Sequence, residues 1–430
     1  MTEEGPLETS ELSLESFHSH PGARGQLEFS EPGNISRRCR IYCNDGENMR
    51  TYRVAIVGTG GIAAVHADNL ARTDGRAELV AACDVDQGRL DAFAEKHGIP
   101  GTYLTLAELL AEAKPDVVHL CTPPMLHIDQ AIECLEAGVH VLSEKPPALS
   151  LADFDRLQVA QAKGGAQFSC VFQHRFGDAS AAARRLIGGS EFGRPLVARC
   201  DTLWYRPDSY WDLPWRGTWN AEGGGPTMGH GIHQFDLLLH LLGPWEEVTA
   251  IAGRQARDTS TEDLSAALVR FRNGAVATIV NSLLSPRETS DIRIDCEFAT
   301  VELSHLYGYS TDNWTITGAP GHEDQVSSAW TGQPLERGSG HSAQFLAMYD
   351  ALDAGRPLPA GADSARQTLE LAAAIYASAF TGQAVRRGEI VPGHPFYGGM
   401  DGDGLGTAVL ESTAFNAPAA AASSFNSTPA

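Results

Sequence analysis

The stretch EGGGPTMGHGIHQFDLLLHLLG, residues 222–243, carries His230, His233, Asp236 and His240 on a leucine-rich segment led by three glycines. These residue types allow three chemistries: a metal site, acid–base work by an imidazole that a carboxylate orients, or buried polar groups with ordinary partners. At about 100° per residue, the three histidines, Leu237 and Asp236 fall within about 120° of one another, opposite a core stripe of Phe235, Leu238, Leu239 and Leu242. They share a face but not a point, because a rise of about 1.5 Å per residue puts His240 roughly 10 Å beyond His233. This helix alone therefore cannot hold a three-histidine metal, and no metal is expected. His240 reads as structural, and His230 as either core or functional. The glycines 223–225 bring backbone close to a neighbour just upstream. His233 reads as functional. Asp236 at i+3 is placed to orient its ring, and an imidazole of pKa about 6.5 can take a proton near neutral pH.

A second constellation, GTGGIA, puts Gly58, Gly60 and Ala63 in the spacing G-x-G-x-x-A. The first glycine permits a tight turn, the second lets a pyrophosphate approach the backbone, and the small third residue lets helix pack on strand. Gly61 and Ile62 open a helix whose free N–H groups favour an anion. Asp84 stands 24 positions after Gly60, at the end of the next strand, and can accept the ribose hydroxyls while repelling a 2′-phosphate. NAD is expected, with NADP disfavoured; Arg89, a helical turn further on, softens that preference.

The elements needed to position these groups are legible. YRVAIVG, ELVAACD, DVVHLCT and VHVLSEK are strands, and IAAVHADNLART, QGRLDAFAEKHG, TLAELLAEA and HIDQAIECLEAG are helices. Thr105 caps the third helix, and Gly98 and Gly138 close the second and fourth. Strand–helix alternation gives a parallel, doubly wound sheet. Lys145 lies just past a strand's C-terminal end, where such sheets bind ligands. Beyond the strand QFSCVFQ and a helix ASAAARRLIGG, strand signals dominate, with a hairpin turn at RNGA. The expected fold is an α/β Rossmann domain, 50–173, followed by an α+β domain, 174–400, with a mainly antiparallel open-faced sheet. The helices 226–243, 341–354 and 363–381 should back that sheet. Residues 1–49 and 401–430 read as a disordered N-terminal extension and a disordered tail.

Composition narrows the function classes. The 430 residues are 43% apolar and carry a net charge of −22 with no basic run, which disfavours nucleic acid. No apolar run is long enough to span a membrane, and no signal peptide is evident. The eight cysteines are scattered, and only Cys39 and Cys43 are close together, without a second pair to complete a metal site. Reduced thiols in a cytoplasm fit best.

VAIVGTGGIAAVHADNL, DVVHLCTPPMLHIDQAIECLEAGVHVLSEKPPALS and GGGPTMGHGIHQFDLLLHLLG together resemble the Gfo/Idh/MocA family of sugar and inositol dehydrogenases, from Tyr52 to near Gly382. The resemblance implies a Rossmann domain, an open-faced sheet used in a homodimer or homotetramer, and reversible oxidation of a polyol or sugar hydroxyl. It matches Lys145 of EKPP to the family's catalytic lysine and His233 to its catalytic histidine, and it implies a cis bond between Lys145 and Pro146. Glu144, Thr122, Pro123 and His127 match cofactor-side positions. Arg175 of HRF matches a segment lining the site. The aspartate that many members carry four residues before the histidine is Gly229 here, so either His230 supplies its function or the mechanism rests on Lys145 and His233. The loop TLWYRPDSYWDLPWRGTWN, with Arg206 and Arg216, is either a sugar pocket or a hydrophobic cover, and Trp219 is the expected substrate contact. Three readings stand at this point. The first is an NAD-dependent dehydrogenase of a cyclic polyol, sugar or glycoside. The second is an enzyme that retains NAD and oxidises a sugar transiently before elimination or glycoside cleavage. The third is a non-catalytic dinucleotide-binding regulator.

Overall fold

The computed structural model describes residues 50–213 and 215–413; the extension read over 1–49 lies outside the described residues. Six strands, β1 (Tyr52–Val57), β2 (Ala77–Cys83), β3 (Gly101–Tyr103), β4 (Val117–Leu120), β5 (His140–Ser143) and β6 (Phe168–Cys170), form a parallel sheet in the order β3-β2-β1-β4-β5-β6. Val54, Ala55 and Ile56 of β1 are all fully buried, because helices cover both faces of a doubly wound sheet. Local chemistry sets the helix ends as read. The Thr105 side chain caps 106–113, and Gly98 ends 87–97 in the left-handed conformation. The strand order reverses between β1 and β4, and the crevice at their C-terminal ends is where such sheets bind ligands.

Eight further strands, β7 (Pro195–Tyr205), β8 (Trp245–Gly253), β9 (Leu264–Phe271), β10 (Val276–Ser282), β11 (Leu284–Cys296), β12 (Ala299–His305), β13 (Trp314–Gly318) and β14 (Val385–Arg386), build the second sheet in the order β13-β12-β11-β7-β10-β9-β8-β14. Only the β7–β10 pair is parallel. The helices Ile232–Leu242 and Ala362–Thr381 back one face. The other face leaves Val197, Ile251, Leu268 and Val276 exposed; this is the open face anticipated from the sequence.

Two expectations change. The helix His341–Asp353 does not back the second sheet. Its apolar side, Phe345, Met348 and Tyr349, joins the core around β1, with Tyr349 stacked on Tyr52 at 5.0 Å, while Arg76 binds Asp350 and Asp353. The segment after Asp401 is not all tail: Leu405–Thr413 is a helix with Leu410 buried, and 414–430 lie outside the described residues. No helix among the described residues is long and apolar enough to cross a membrane.

Candidate active site

The glycine loop follows β1 directly. Gly58 has φ +85°, and a Cβ there would come within 2.9 Å of the Cys121 and Thr122 backbone, so only glycine fits between the two strand ends. Gly60 and Gly61 face open space, and the helix Gly61–Leu70 begins without a side-chain cap. Its first N–H groups are therefore free for an anion, as a dinucleotide pyrophosphate requires. Asp84 accepts from the Thr59 amide (2.8 Å) and hydroxyl (2.9 Å), the Asp86 amide (2.9 Å) and Arg89 (2.8 Å). Burial alone would raise its carboxyl; these four donors outweigh burial and hold it at about 2.

Lys145, half-buried just past β5, joins Pro146 through a cis bond. Its ammonium donates to the Gly229 carbonyl at 2.9 Å. A cleft of about 250 Å³ opens here, lined by Lys145, Glu144, Thr122, Ile62, His230 and His233, with Trp204, Tyr210, Trp215, Arg216, Glu222 and Tyr307 as its far wall. His233 is 4% exposed and neither ring nitrogen has a partner. Its ring stacks on His174 at 5.2 Å and meets the Tyr307 edge at 5.9 Å. Burial first, then the Lys145 charge, pushes its pKa well below the ordinary value, so the ring is a neutral base. His230 is lowered likewise by burial and by Lys145, Arg206 and Arg216; it packs against Trp204 at 5.1 Å with Nδ1 unpartnered. Arg216 pairs with Glu222 at 3.0 Å.

Residues 52–172 match the model described as the oxidoreductase family with an NAD-binding Rossmann fold, and residues 180–302 match the Gfo/Idh/MocA C-terminal domain. The solved WlbA dehydrogenase from Bordetella pertussis, in complex with NADH and UDP-GlcNAcA, is 30% identical with a TM-score of 0.70; the match covers 78% of this chain and 99% of that one. This chain belongs to the Gfo/Idh/MocA family. The D-glucoside 3-dehydrogenase of Escherichia coli (strain K12) is 29% identical over 61% of this chain and 79% of its own length. The myo-inositol 2-dehydrogenase of Thermotoga maritima is 29% identical over 54% and 68%.

Within this Gfo/Idh/MocA chain, several side chains lie elsewhere than the spacing suggested. Asp236 does not orient His233. Residues 227–231 form a π turn ahead of the regular helix, and Asp236 turns away from the cleft to a bidentate pair with Arg175, also accepting from Thr368 at 2.7 Å. Arg175 is therefore an ion-pair partner that lies outside the Lys145 cleft. Its neighbour His174 packs against the His233 ring instead, with both ring nitrogens buried and unpartnered. Trp219 is not in the cleft either: it packs edge-on against Tyr376 at 5.3 Å and Phe380 at 6.0 Å. His127 is fully buried and spans the Thr122 and Pro146 carbonyls at 2.8 and 2.9 Å, behind the cleft. His240 lines a separate cleft with Arg175 and Gln367.

The neighbours of the glycine run are Tyr376 and Glu262. A Cβ at Gly224 would meet the Tyr376 hydroxyl at 2.0 Å, and one at Gly225 the Glu262 carbonyl at 1.8 Å. The buried Glu262 carboxylate accepts from the Gly225 and Thr227 amides and from Tyr376, which fixes the start of the π turn. No sequence signal singled out Glu262 or Tyr307, because their partners are distant in the chain, and within HRF the resemblance pointed to Arg175 rather than His174. Arg175→Ala leaves the fully buried Asp236 without its ion partner and should cost about 3–5 kcal/mol in denaturant unfolding. Unchanged stability would refute this reading.

Proposed function

We propose that this chain reversibly oxidises a hydroxyl of an uncharged cyclic polyol, sugar or glycoside. Gly58, Gly60, Gly61, Ile62, Asp84, Arg89, Thr122, Pro123 and Glu144 would hold NAD, which when bound supplies the hydride acceptor. His233 takes the hydroxyl proton, and the Lys145 ammonium stabilises the developing alkoxide. His230 hydrogen-bonds the substrate, supplying the function of the aspartate that many members carry at the position of Gly229. Asp236 acts at a distance, by anchoring the helix that carries both histidines. The observation that carries this reading is His233, a neutral buried imidazole with both nitrogens free, lining the same cleft as Lys145.

The far wall supports a sugar ring. Trp204, Tyr210, Trp215 and Tyr307 offer aromatic faces, which suit the C–H side of a pyranose or cyclitol. Arg216 is already paired with Glu222, and Arg206 with Glu288, which favours a neutral substrate over a uronate. NADH absorbance after mixing with NAD should rise with at least one of a panel of inositols, aldoses and glucosides, and more slowly with the matching glucuronide. Turnover of the glucuronide alone would overturn the neutral-substrate reading. The exposed Val197, Ile251, Leu268 and Val276 support a homodimer or homotetramer built on the open sheet face. The six described cysteines are all free and buried, consistent with a cytoplasmic setting.

A further inference from the structure

Behind the cleft, three elements far apart in sequence converge on Glu144. His66 comes from the helix Gly61–Leu70, Glu144 follows β5, and His341 is the first residue of the helix His341–Asp353. Their side chains are 0%, 8% and 6% exposed. His66 Nε2 lies 3.0 Å and His341 Nε2 3.6 Å from the same Glu144 oxygen, and all three ligand atoms fall within 4.8 Å of one another. His341 Nε2 is buried and aimed at this carboxylate, at a separation longer than an ordinary hydrogen bond.

We propose that His66, Glu144 and His341 bind a divalent transition cation of the zinc or cobalt(II) class. Ligand bonds of about 2.0–2.2 Å in tetrahedral geometry put neighbouring donor atoms about 3.4 Å apart; the two histidine-to-carboxylate separations, 3.0 and 3.6 Å, bracket that value, and the two histidine nitrogens lie within 4.8 Å of each other. Two imidazoles and one carboxylate select such a cation over magnesium or calcium, which prefer all-oxygen shells. The neighbouring shell is also in place: His66 Nδ1 is 3.0 Å from His119 Nδ1, the second contact that fixes the tautomer and aim of a ligating histidine. Glu144 lines the cleft, which supplies an entry path and a side for a fourth, exchangeable ligand. The cation would join the first Rossmann helix to the helix His341–Asp353, the element that packs on the first sheet.

The test uses untagged full-length protein, stripped with a chelator and then dialysed against cobalt(II) or zinc, with metal content and thermal unfolding as readouts. The wild type should retain about one equivalent and melt higher with metal than without. His341→Ala should lose both effects while still binding NADH, and His119→Ala should bind metal about 10–100-fold more weakly. Failure of the wild type to hold stoichiometric metal would overturn the proposal. So would equal metal content in wild type and His341→Ala, or, should that variant not fold, unchanged affinity in His119→Ala. None of these readouts depends on which substrate is turned over, so failure here leaves the dehydrogenase reading standing.

Discussion

His233→Ala is expected to lower kcat/KM by about 10²–10⁴ with NAD affinity unchanged, the range that a positioned general base contributes. The argument rests on the state of the ring. Burial and the nearby Lys145 charge both lower its pKa from the ordinary value, so the neutral, proton-accepting form persists into mildly acidic solution. A base works only when deprotonated, so activity should be full above the lowered pKa and fall as pH drops through it. The acid limb of the wild-type profile therefore lies below about pH 6.5, and His233→Ala should flatten it. His233→Gln keeps much of the volume and hydrogen-bonding capacity but cannot accept the proton; it should behave as the alanine variant does. Recovery of near wild-type turnover in His233→Gln would show that the ring only fills space.

Lys145→Ala should cut turnover by about 10²–10³, the loss that follows removal of one preorganised donor to a developing oxyanion, while NADH still binds. The ammonium is positioned from two directions. The Lys145–Pro146 segment sets its base, and the Gly229 carbonyl takes its charged end at 2.9 Å. Position 229 has no side chain, and its backbone carbonyl holds the lysine. Lys145→Arg keeps the charge but moves it along a longer, planar group, so it should also be impaired, though less than the alanine variant. Turnover within about twofold of wild type in Lys145→Ala would remove the lysine from the chemistry.

The sequence by itself determined what depends on local periodicity and on turn geometry. Strand–helix alternation specifies the parallel sheet, and GTGGIA specifies the loop after β1, because a Cβ at position 58 would come within 2.9 Å of the neighbouring strand end. The caps at Thr105 and Gly98, and the position of Lys145 at a strand end, follow from short-range rules of the same kind, whereas His233 is singled out by the family resemblance and by an expected orienting role for Asp236. Tertiary structure alone decided which of several plausible side chains face the cleft. A regular helical wheel puts Asp236 beside His233, but a π turn anchored by Glu262 starts the helix and Arg175 draws Asp236 to its other side. Likewise the 173–176 turn packs His174 against His233 and commits Arg175 to Asp236, and Trp219 finds its partners on the helix Ala362–Thr381. The His66–Glu144–His341 cluster unites residues more than 70 positions apart. Contacts of that kind are set by how distant elements pack together, and no spacing within one segment encodes them.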